Sequence, residues 1–304
     1  MPGVNYAQRF FALLVLLREE TDPEHCLDAV QISERLLERT GLVVDPRSIR
    51  RTIADMIEAG VPINDSHKYC WQGVFSLGEV EYLANAVRYG YGLPDTQRQE
   101  LAGKILALGD RRVHIEDEWP RRTSNQQMLQ TLSVLRGAMD AGKQVAFHYG
   151  SYDIEGKLVP NPRRGSSGLP KIYNAHPYKI VCSNGRYYLI ASVNRHTDLS
   201  HYRIDRIMDI RMRRSQMRPL QTAIRVEDYV LQHPYMYAGE VRRYRLSVER
   251  KHLNDVYDWF GRDIVCENSS DNYTDVLLYA DKASLGFWLK RYGMYASIKT
   301  ASEQ

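Results

Sequence analysis

The centre of the chain reads Gly185-Arg186-Tyr187-Tyr188-Leu189-Ile190-Ala191 and, after a short polar gap, His201-Tyr202-Arg203-Ile204-Asp205-Arg206-Ile207. Both stretches are rich in aromatic and branched residues, which favour β-strands. Similar alternation at 144–149 and 171–181 predicts further strands, so residues 143–218 should form a small sheet or barrel. Successive side chains of a strand face opposite sides, and we therefore expect alternate residues to pack in a core.

Length and composition describe an ordinary folded protein with more than one domain. The 304 residues would fill two domains of roughly 150 residues each, and three small domains would also fit. With 43% hydrophobic and 26% charged residues, the chain belongs to neither the fibrous nor the disordered class. The formal net charge of +4 is too small to indicate a polyanionic partner by itself.

The longest apolar run, residues 10–17, is far shorter than the roughly 20 residues that a membrane-spanning helix needs. Charged residues follow it at once and no cleavage site is present, so we do not expect a signal peptide. The sequence therefore predicts a cytoplasmic protein without membrane contact.

The four cysteines lie far apart and form no C-x-x-C pair. This spacing indicates neither a zinc site nor a disulfide framework. We expect no metal and interpret Cys26, Cys70, Cys182 and Cys266 as buried free thiols.

The first sixty residues contain three stretches with helical spacing of apolar residues. In the third, Asp45 is a helix cap and Pro46 occupies the first helical position, which predicts a helix to about Ala59. Residues 62–74 then alternate as in a short hairpin. Three helices followed by a hairpin are typical of a winged helix-turn-helix, which we assign to residues 1–76.

The third helix has one apolar face and one basic face. An arginine fork can read guanine, whereas hydroxyls and other arginines can hold phosphates. A solvated helix surface would explain the arginines equally well. Residues 1–64 hold seven arginines against ten acidic residues, so DNA would have to be bound through a local patch, doubled by dimerisation. The candidate DNA contacts are Arg47, Ser48, Arg50, Arg51 and Thr52.

The remaining segments complete the predicted domain order. Helical spacing continues through residues 77–142, which we interpret as a helical connector. Residues 219–304 have the order strand, helix, strand, strand, helix, strand, as in a split ferredoxin-like βαββαβ unit. The chain is therefore predicted to be a multidomain α+β protein.

The central motifs carry a family resemblance. Tyr187-Tyr188-Leu189 is similar to the Trp-Tyr-Leu that names the WYL domain, and residues 202–207 are close to the usual ending of that domain. Residues 145–149 resemble its opening strand, and His176-Pro177-Tyr178 resembles the segment before the signature. The chain thus resembles WYL-domain transcriptional regulators, which implies a winged helix, an SH3-like β-barrel at 143–218 and a C-terminal extension.

The resemblance also implies a ligand sensor for a nucleotide or a nucleic-acid fragment. Arginine pairs bidentately with phosphate and tyrosine offers a stacking face, which suits an anionic ligand. Asp205 should orient an arginine, and an ion pair with Asp205 or Asp209 would explain the arginines almost as well as a ligand. For Tyr187, Leu189 and Ile204, strand packing is the simpler explanation. The candidate ligand residues are Tyr149, His176, Tyr188, Tyr202, Arg203 and Arg206.

The function we predict is a sequence-specific, DNA-binding transcriptional regulator. Its expected partners are double-stranded DNA, a second copy in a homodimer, and a nucleotide or single-stranded nucleic-acid effector. The usual hydrolase, metalloprotease, P-loop and dinucleotide motifs are missing and the histidines form no i, i+4 pairs, so we predict no enzyme activity and no cofactor. The alternative is a nucleic-acid-fragment binding module or a nucleotide-processing enzyme whose N-terminal helices serve assembly.

Overall fold

The chain folds into two units, and the first unit contains the N-terminal helices. The computed structural model describes residues 5–108, 125–163, 165, 168–220 and 223–302. The chain divides into one unit of Met1–Gly90 with Asp95–Arg121 and a second of Tyr91–Pro94 with Arg122–Gln304. The helices of the first unit are α1 (Tyr6–Glu20), α2 (Ala29–Thr40), α3 (Pro46–Glu58), α4 (Leu77–Tyr89) and α5 (Asp95–Leu108).

Helix α3 begins where its capping residues predict. The carboxylate of Asp45 accepts hydrogen bonds from the backbone N–H groups of Arg47 and Ser48, at 3.0 and 2.9 Å. These bonds satisfy two of the donors that a helix start leaves free. The apolar face of α3 packs with α1 and α2 in a shared core, which includes Leu13, Leu16, Ile32, Leu36, Ile49, Ile53 and Met56.

The segment after α3 is held by isolated β-bridges rather than by regular strands. Ile63 pairs with Trp71, and Tyr69 pairs with Leu27, which lies just before α2. The backbone N–H of Trp71 donates to the hydroxyl of Thr21 at 2.9 Å. Residues 62–71 are therefore hydrogen-bonded to Thr21 and Leu27 of the first unit as well as to one another.

The predicted connector at 77–142 does not lie in one unit. Helices α4 and α5 belong to the first unit, whereas α6 (Met128–Asp140) belongs to the second. Residues 109–124 of this segment lie outside the described part of the chain. In the first unit, the buried guanidinium of Arg98 donates to the carbonyl of Arg88 at 2.8 Å and contacts Asp95.

The second unit contains a curled antiparallel sheet. Strand β1 pairs with β2, β3 and β6, and β3 continues through β4 to β5. A short 3₁₀ turn, Ile204–Arg206, joins β5 to β6. Helix α6 packs against the core of this sheet. The strands are β1 (Lys143–Tyr152), β2 (Leu158–Pro160), β3 (Ile172–Ser183), β4 (Arg186–Val193), β5 (Ser200–Arg203) and β6 (Ile207–Gln216).

A second sheet follows in the same unit, with its strands in the order β10-β7-β9-β8 and all neighbours antiparallel. Alternate residues of β7 and β9 form one core with α8 and α9, so both helices cover the same face. The elements are α7 (Val226–Gln232), β7 (Val241–Glu249), α8 (Leu253–Phe260), β8 (Val265–Glu267), β9 (Tyr273–Asp281), α9 (Lys282–Tyr292) and β10 (Ala296–Ser302).

All four cysteines are free thiols, as predicted, but they are not all buried. Cys70 is buried and Cys26 is half-buried, whereas Cys182 and Cys266 are exposed. The prediction of buried thiols is therefore wrong for the latter two. None of the helices described is both long and apolar enough to span a membrane.

Candidate functional site

The 3₁₀ turn between β5 and β6 holds a bidentate ion pair. Arg203 donates from Nη2 and Nε to the two carboxylate oxygens of Asp205, at 2.6 and 3.1 Å. Asp205 is 6% exposed at its side chain and Arg203 22%, so one edge of the guanidinium stays open to solvent. Burial acts to lower the pKa of Arg203, but the hydrogen bonds and charge of Asp205 outweigh it and raise that pKa. Asp205 therefore holds Arg203, as expected, and this is also the ion pair that would explain Arg203 without a ligand.

Two predicted tyrosines lie beside this ion pair. The hydroxyl of Tyr149 accepts a hydrogen bond from the backbone N–H of Arg203 at 3.2 Å. Tyr188 is paired with Arg203 in the β4–β5 register. Burial raises the pKa of Tyr188, while the charges of Arg203, Arg186 and Arg206 act to lower it. Both phenols therefore lie within the electrostatic field of an arginine cluster.

Beside the predicted Arg203 and Arg206, the site contains one arginine, Arg186, that the sequence analysis did not select. The guanidinium of Arg186 lies over the ring of Tyr91, 4.1 Å from its centroid, and that of Arg206 lies 5.7 Å from the centroid of Tyr152. The buried Nε atoms of Arg186 and Arg206 have no hydrogen-bond partner among the described residues. Arg186 comes directly before Tyr187 and Tyr188 of the signature motif. This position was the only feature of the sequence that could have indicated its place in the site. We call Arg186, Tyr188, Arg203 and Arg206 the arginine cluster.

Tyr202 is part of the core rather than of this surface. Its ring makes edge contacts with those of Phe147, Tyr149 and Tyr173, at centroid distances of 5.4, 5.1 and 5.6 Å. Burial raises its pKa to about 12. The side chain is 8% exposed, so packing explains Tyr202, and we remove it from the candidate ligand contacts.

His176 lies elsewhere on the sheet. It pairs with Ser192, four residues along β4 from Tyr188, which corresponds to roughly 13 Å. Its Nδ1 accepts from the backbone N–H of Arg218 at 2.8 Å, so this nitrogen carries no proton. Burial and the charge of Arg218 lower the pKa of His176. The buried ring fixes the chain after β6, and we remove His176 from the ligand contacts as well.

The candidate DNA contacts on α3 divide by helix face. The side chains of Arg47, Arg50 and Arg51 are exposed, and no ion pair to them occurs in the described ranges. Ser48 is half-buried. Thr52 is 0% exposed; its hydroxyl donates to the carbonyl of Ser48 at 2.9 Å and accepts from Nε of Arg9 at 2.7 Å. Thr52 is therefore excluded as a DNA contact, because both its surface and its hydrogen bonds are used within the fold.

Metal binding finds no support in the part of the chain that the structure describes. There, no group of three or more His, Cys, Asp or Glu side chains could hold an ion. The arginine cluster offers hydrogen-bond donors and aromatic faces, which suit an anion with a ring.

Comparison with known proteins identifies the first sheet. A family model of the WYL domain matches residues 130–212, which include α6 and the strands that carry the arginine cluster. Among solved structures, proteasome accessory factor B/C (PafBC) of Arthrobacter aurescens matches with 12% identity and a TM-score of 0.30. That match covers 95% of this chain and 50% of the other, so the chain spans about half the length of that protein. No curated protein matches the chain significantly.

Proposed function

Because residues 130–212 are a WYL domain, we propose that the protein is a transcriptional regulator that binds duplex DNA and responds to an anionic ligand. The observation that supports the ligand most directly is the arginine cluster. The charges of three guanidinium groups and of the Asp205 carboxylate act on the pKa of Tyr188, and two of these arginines have a buried Nε without a partner among the described residues. This excess of positive charge favours phosphate.

The ligand we propose is a nucleotide or a short single-stranded nucleic acid. The open edge of Arg203 and the guanidinium groups of Arg186 and Arg206 would bind phosphate oxygens. Tyr188 and Tyr149 would contribute a ring face or a hydroxyl to the base or sugar. The ligand acts as a regulator only if it binds two conformations of the protein with different affinity.

The DNA contact we propose is the exposed arginine face of α3. Arg47, Arg50 and Arg51 would enter the major groove, and residues 62–71 would lie along the backbone as the wing of a winged helix-turn-helix. Residues 1–64 carry more acidic than basic side chains, so one basic helix face is a small surface for DNA. A homodimer would double this surface. In the same proposal, the first sheet is an SH3-like barrel and the second a ferredoxin-like extension, and no catalytic step is assigned.

A salt titration of DNA binding tests the proposal. Fluorescent duplexes from the promoter of its own gene are compared with scrambled duplexes and with single strands of the same sequence. We expect specific duplex binding that persists at physiological salt, with a slope set by the number of phosphates contacted. Preference for single strands, or no binding to DNA, would contradict the regulator and favour a nucleic-acid-fragment binding module whose N-terminal helices serve assembly.

A further inference from the structure

Two cysteines lie next to the bridge that attaches residues 62–71 to the helices of the first unit. Leu27 and Tyr69 exchange both backbone hydrogen bonds, Leu27 N–H to Tyr69 O at 2.9 Å and Tyr69 N–H to Leu27 O at 2.8 Å. They are therefore a hydrogen-bonded antiparallel pair. The next residues outward along this bridge are Cys26 on one segment and Cys70 on the other.

Continued by one residue, the antiparallel register of this isolated bridge would place the two cysteines opposite each other. In antiparallel pairing, a hydrogen-bonded pair is followed by a non-hydrogen-bonded pair whose Cα atoms are about 4.5 Å apart. A disulfide spans Cα separations of about 4.4 to 6.8 Å, so a pair in this register would be compatible with a disulfide.

The environment of the sulfur atoms agrees with this geometry. Burial, followed by a side-chain hydrogen bond with Cys26, raises the pKa of the Cys70 thiol to about 12. The two side chains therefore lie on the same side of the bridge. Cys70 Sγ also accepts from Nε2 of Gln72 at 3.3 Å. Among the described residues no third ligand completes a metal site here, which leaves covalent pairing as the chemistry that two adjacent thiols offer.

We propose that Cys26 and Cys70 are a reversible modification site, at which a peroxide oxidises the two thiols to an intramolecular disulfide. Cys26 is half-buried and Cys70 buried, so Cys26 meets the peroxide first. Its sulfur attacks the O–O bond, which gives a sulfenic acid and releases an alcohol, or water from hydrogen peroxide. The sulfur of Cys70 then attacks that of Cys26, the S–O bond breaks, and the hydroxyl leaves as water with the thiol proton.

The bond would enclose both α2 and α3. The loop between Cys26 and Cys70 contains these two helices and the turn between them. Cross-linking its ends restricts the unfolded chain and fixes residues 62–71 against the start of α2. An effect on DNA affinity would rest on the proposed function, whereas formation of the bond does not.

The test uses the full chain with Cys182→Ser and Cys266→Ser, because these exposed thiols could form other bonds. The protein is treated with hydrogen peroxide, free thiols are alkylated, and the digest is analysed by mass spectrometry. We expect a peptide pair joined through Cys26 and Cys70 that dithiothreitol separates. We also expect the melting temperature of the helical unit to rise by at least about 5 °C on oxidation.

Cys26→Ser in the same background is the matched control, since a half-buried cysteine tolerates this change better than Cys70. It should fold, form no cross-link and show no oxidation-dependent shift in melting temperature. Recovery of Cys26 and Cys70 as alkylated or singly oxidised residues from treated, folded protein would overturn the proposal. If oxidation abolished DNA binding without forming a cross-link, the disulfide proposal would also be wrong. If the cross-link formed in a protein that does not bind DNA, the disulfide proposal would stand and the proposed function would be contradicted.

Discussion

Arg203 and Asp205 lie two residues apart and hold each other in a bidentate pair, with Nη2 to Oδ2 at 2.6 Å and Nε to Oδ1 at 3.1 Å. The 3₁₀ turn that starts after Arg203 brings the carboxylate back toward the guanidinium. Because Asp205 is buried, the pair fixes the direction in which Arg203 presents its open edge.

Asp205→Asn should therefore lower the free energy of unfolding by about 1 to 3 kcal/mol, because it removes a charge-assisted hydrogen bond from a partly buried arginine. Urea unfolding measures the difference. The matched control is Asp140→Asn, whose ion pair with Arg136 is largely exposed and should contribute less than about 1 kcal/mol. Equal losses in the two variants would contradict the role of Asp205.

Arg186→Ala should weaken binding of a short single-stranded oligonucleotide by about 10-fold or more, because a half-buried guanidinium that meets phosphate contributes more than an exposed surface charge. Fluorescence anisotropy at fixed salt measures the affinity. Arg211→Ala is the control, since Arg211 is exposed on β6 outside the arginine cluster and should change the affinity only slightly. Similar affinities for both variants would indicate that the cluster does not bind the ligand.

Two variants of α3, Arg50→Ala and Thr52→Val, should distinguish a residue that contacts DNA from one that stabilises the fold. Arg50 is exposed, so its loss should reduce DNA affinity by about 1 to 3 kcal/mol if it contacts a base and leave the melting temperature unchanged. Thr52→Val removes two hydrogen bonds in the core and should lower the melting temperature instead. The DNA affinity of the folded Thr52→Val protein should stay close to that of the wild type.

His201 should make the second unit less stable in acid. Its Nδ1 donates to the carbonyl of Met236 at 2.9 Å, and its Nε2 accepts from the Tyr229 hydroxyl at 2.7 Å, so both nitrogens are satisfied in the neutral ring. Burial lowers the pKa of His201 from 6.5 to about 4. Between these values the unfolded chain binds more protons than the folded one, so stability is retained above the upper pKa and falls as the pH drops below it.

The expected loss on going from pH 7 to pH 5 is about 2 kcal/mol from this residue, given roughly 1.4 kcal/mol for each pH unit. Urea unfolding at the two pH values measures it. His201→Asn keeps a donor for the Met236 carbonyl but cannot be protonated, so it should lose less stability over the same range. His176 titrates in both proteins, and the difference between them isolates His201. An identical pH dependence would show that His201 does not carry the effect.

The bounds of α3 could be predicted because they depend on neighbours in sequence. Asp45 and Pro46 mark its start, and the predicted end at about Ala59 is one residue beyond the observed Glu58. The burial of Thr52 was also readable, because it shares a face with Ile49, Ile53 and Met56 at helical spacing. Its polar side chain suggested a surface position, but the hydrogen bond from Arg9 depends on how α1 packs.

The candidate ligand site was predictable only in part, because strand register decides which side chains meet. Arg203 and Tyr188 are opposite each other in β4 and β5, whereas His176 is displaced along the sheet by four residues. Arg186 was missed because nothing in its own neighbourhood indicates Tyr91, which comes from a segment far earlier in the chain. Such pairings depend on tertiary contacts that local spacing does not contain.

Arg218 has a consequence for where the segment that matches the WYL domain model can be cut. Its guanidinium donates to the carbonyls of Asn194, Arg195 and His196, and its backbone N–H donates to His176. A fragment that ended at residue 212, where the family match ends, would lose all of these donors. The loop before β5 would then lose its hydrogen bonds to Arg218, and water would have to hydrate its carbonyl groups instead. A fragment that keeps these hydrogen bonds must therefore extend at least through residue 218.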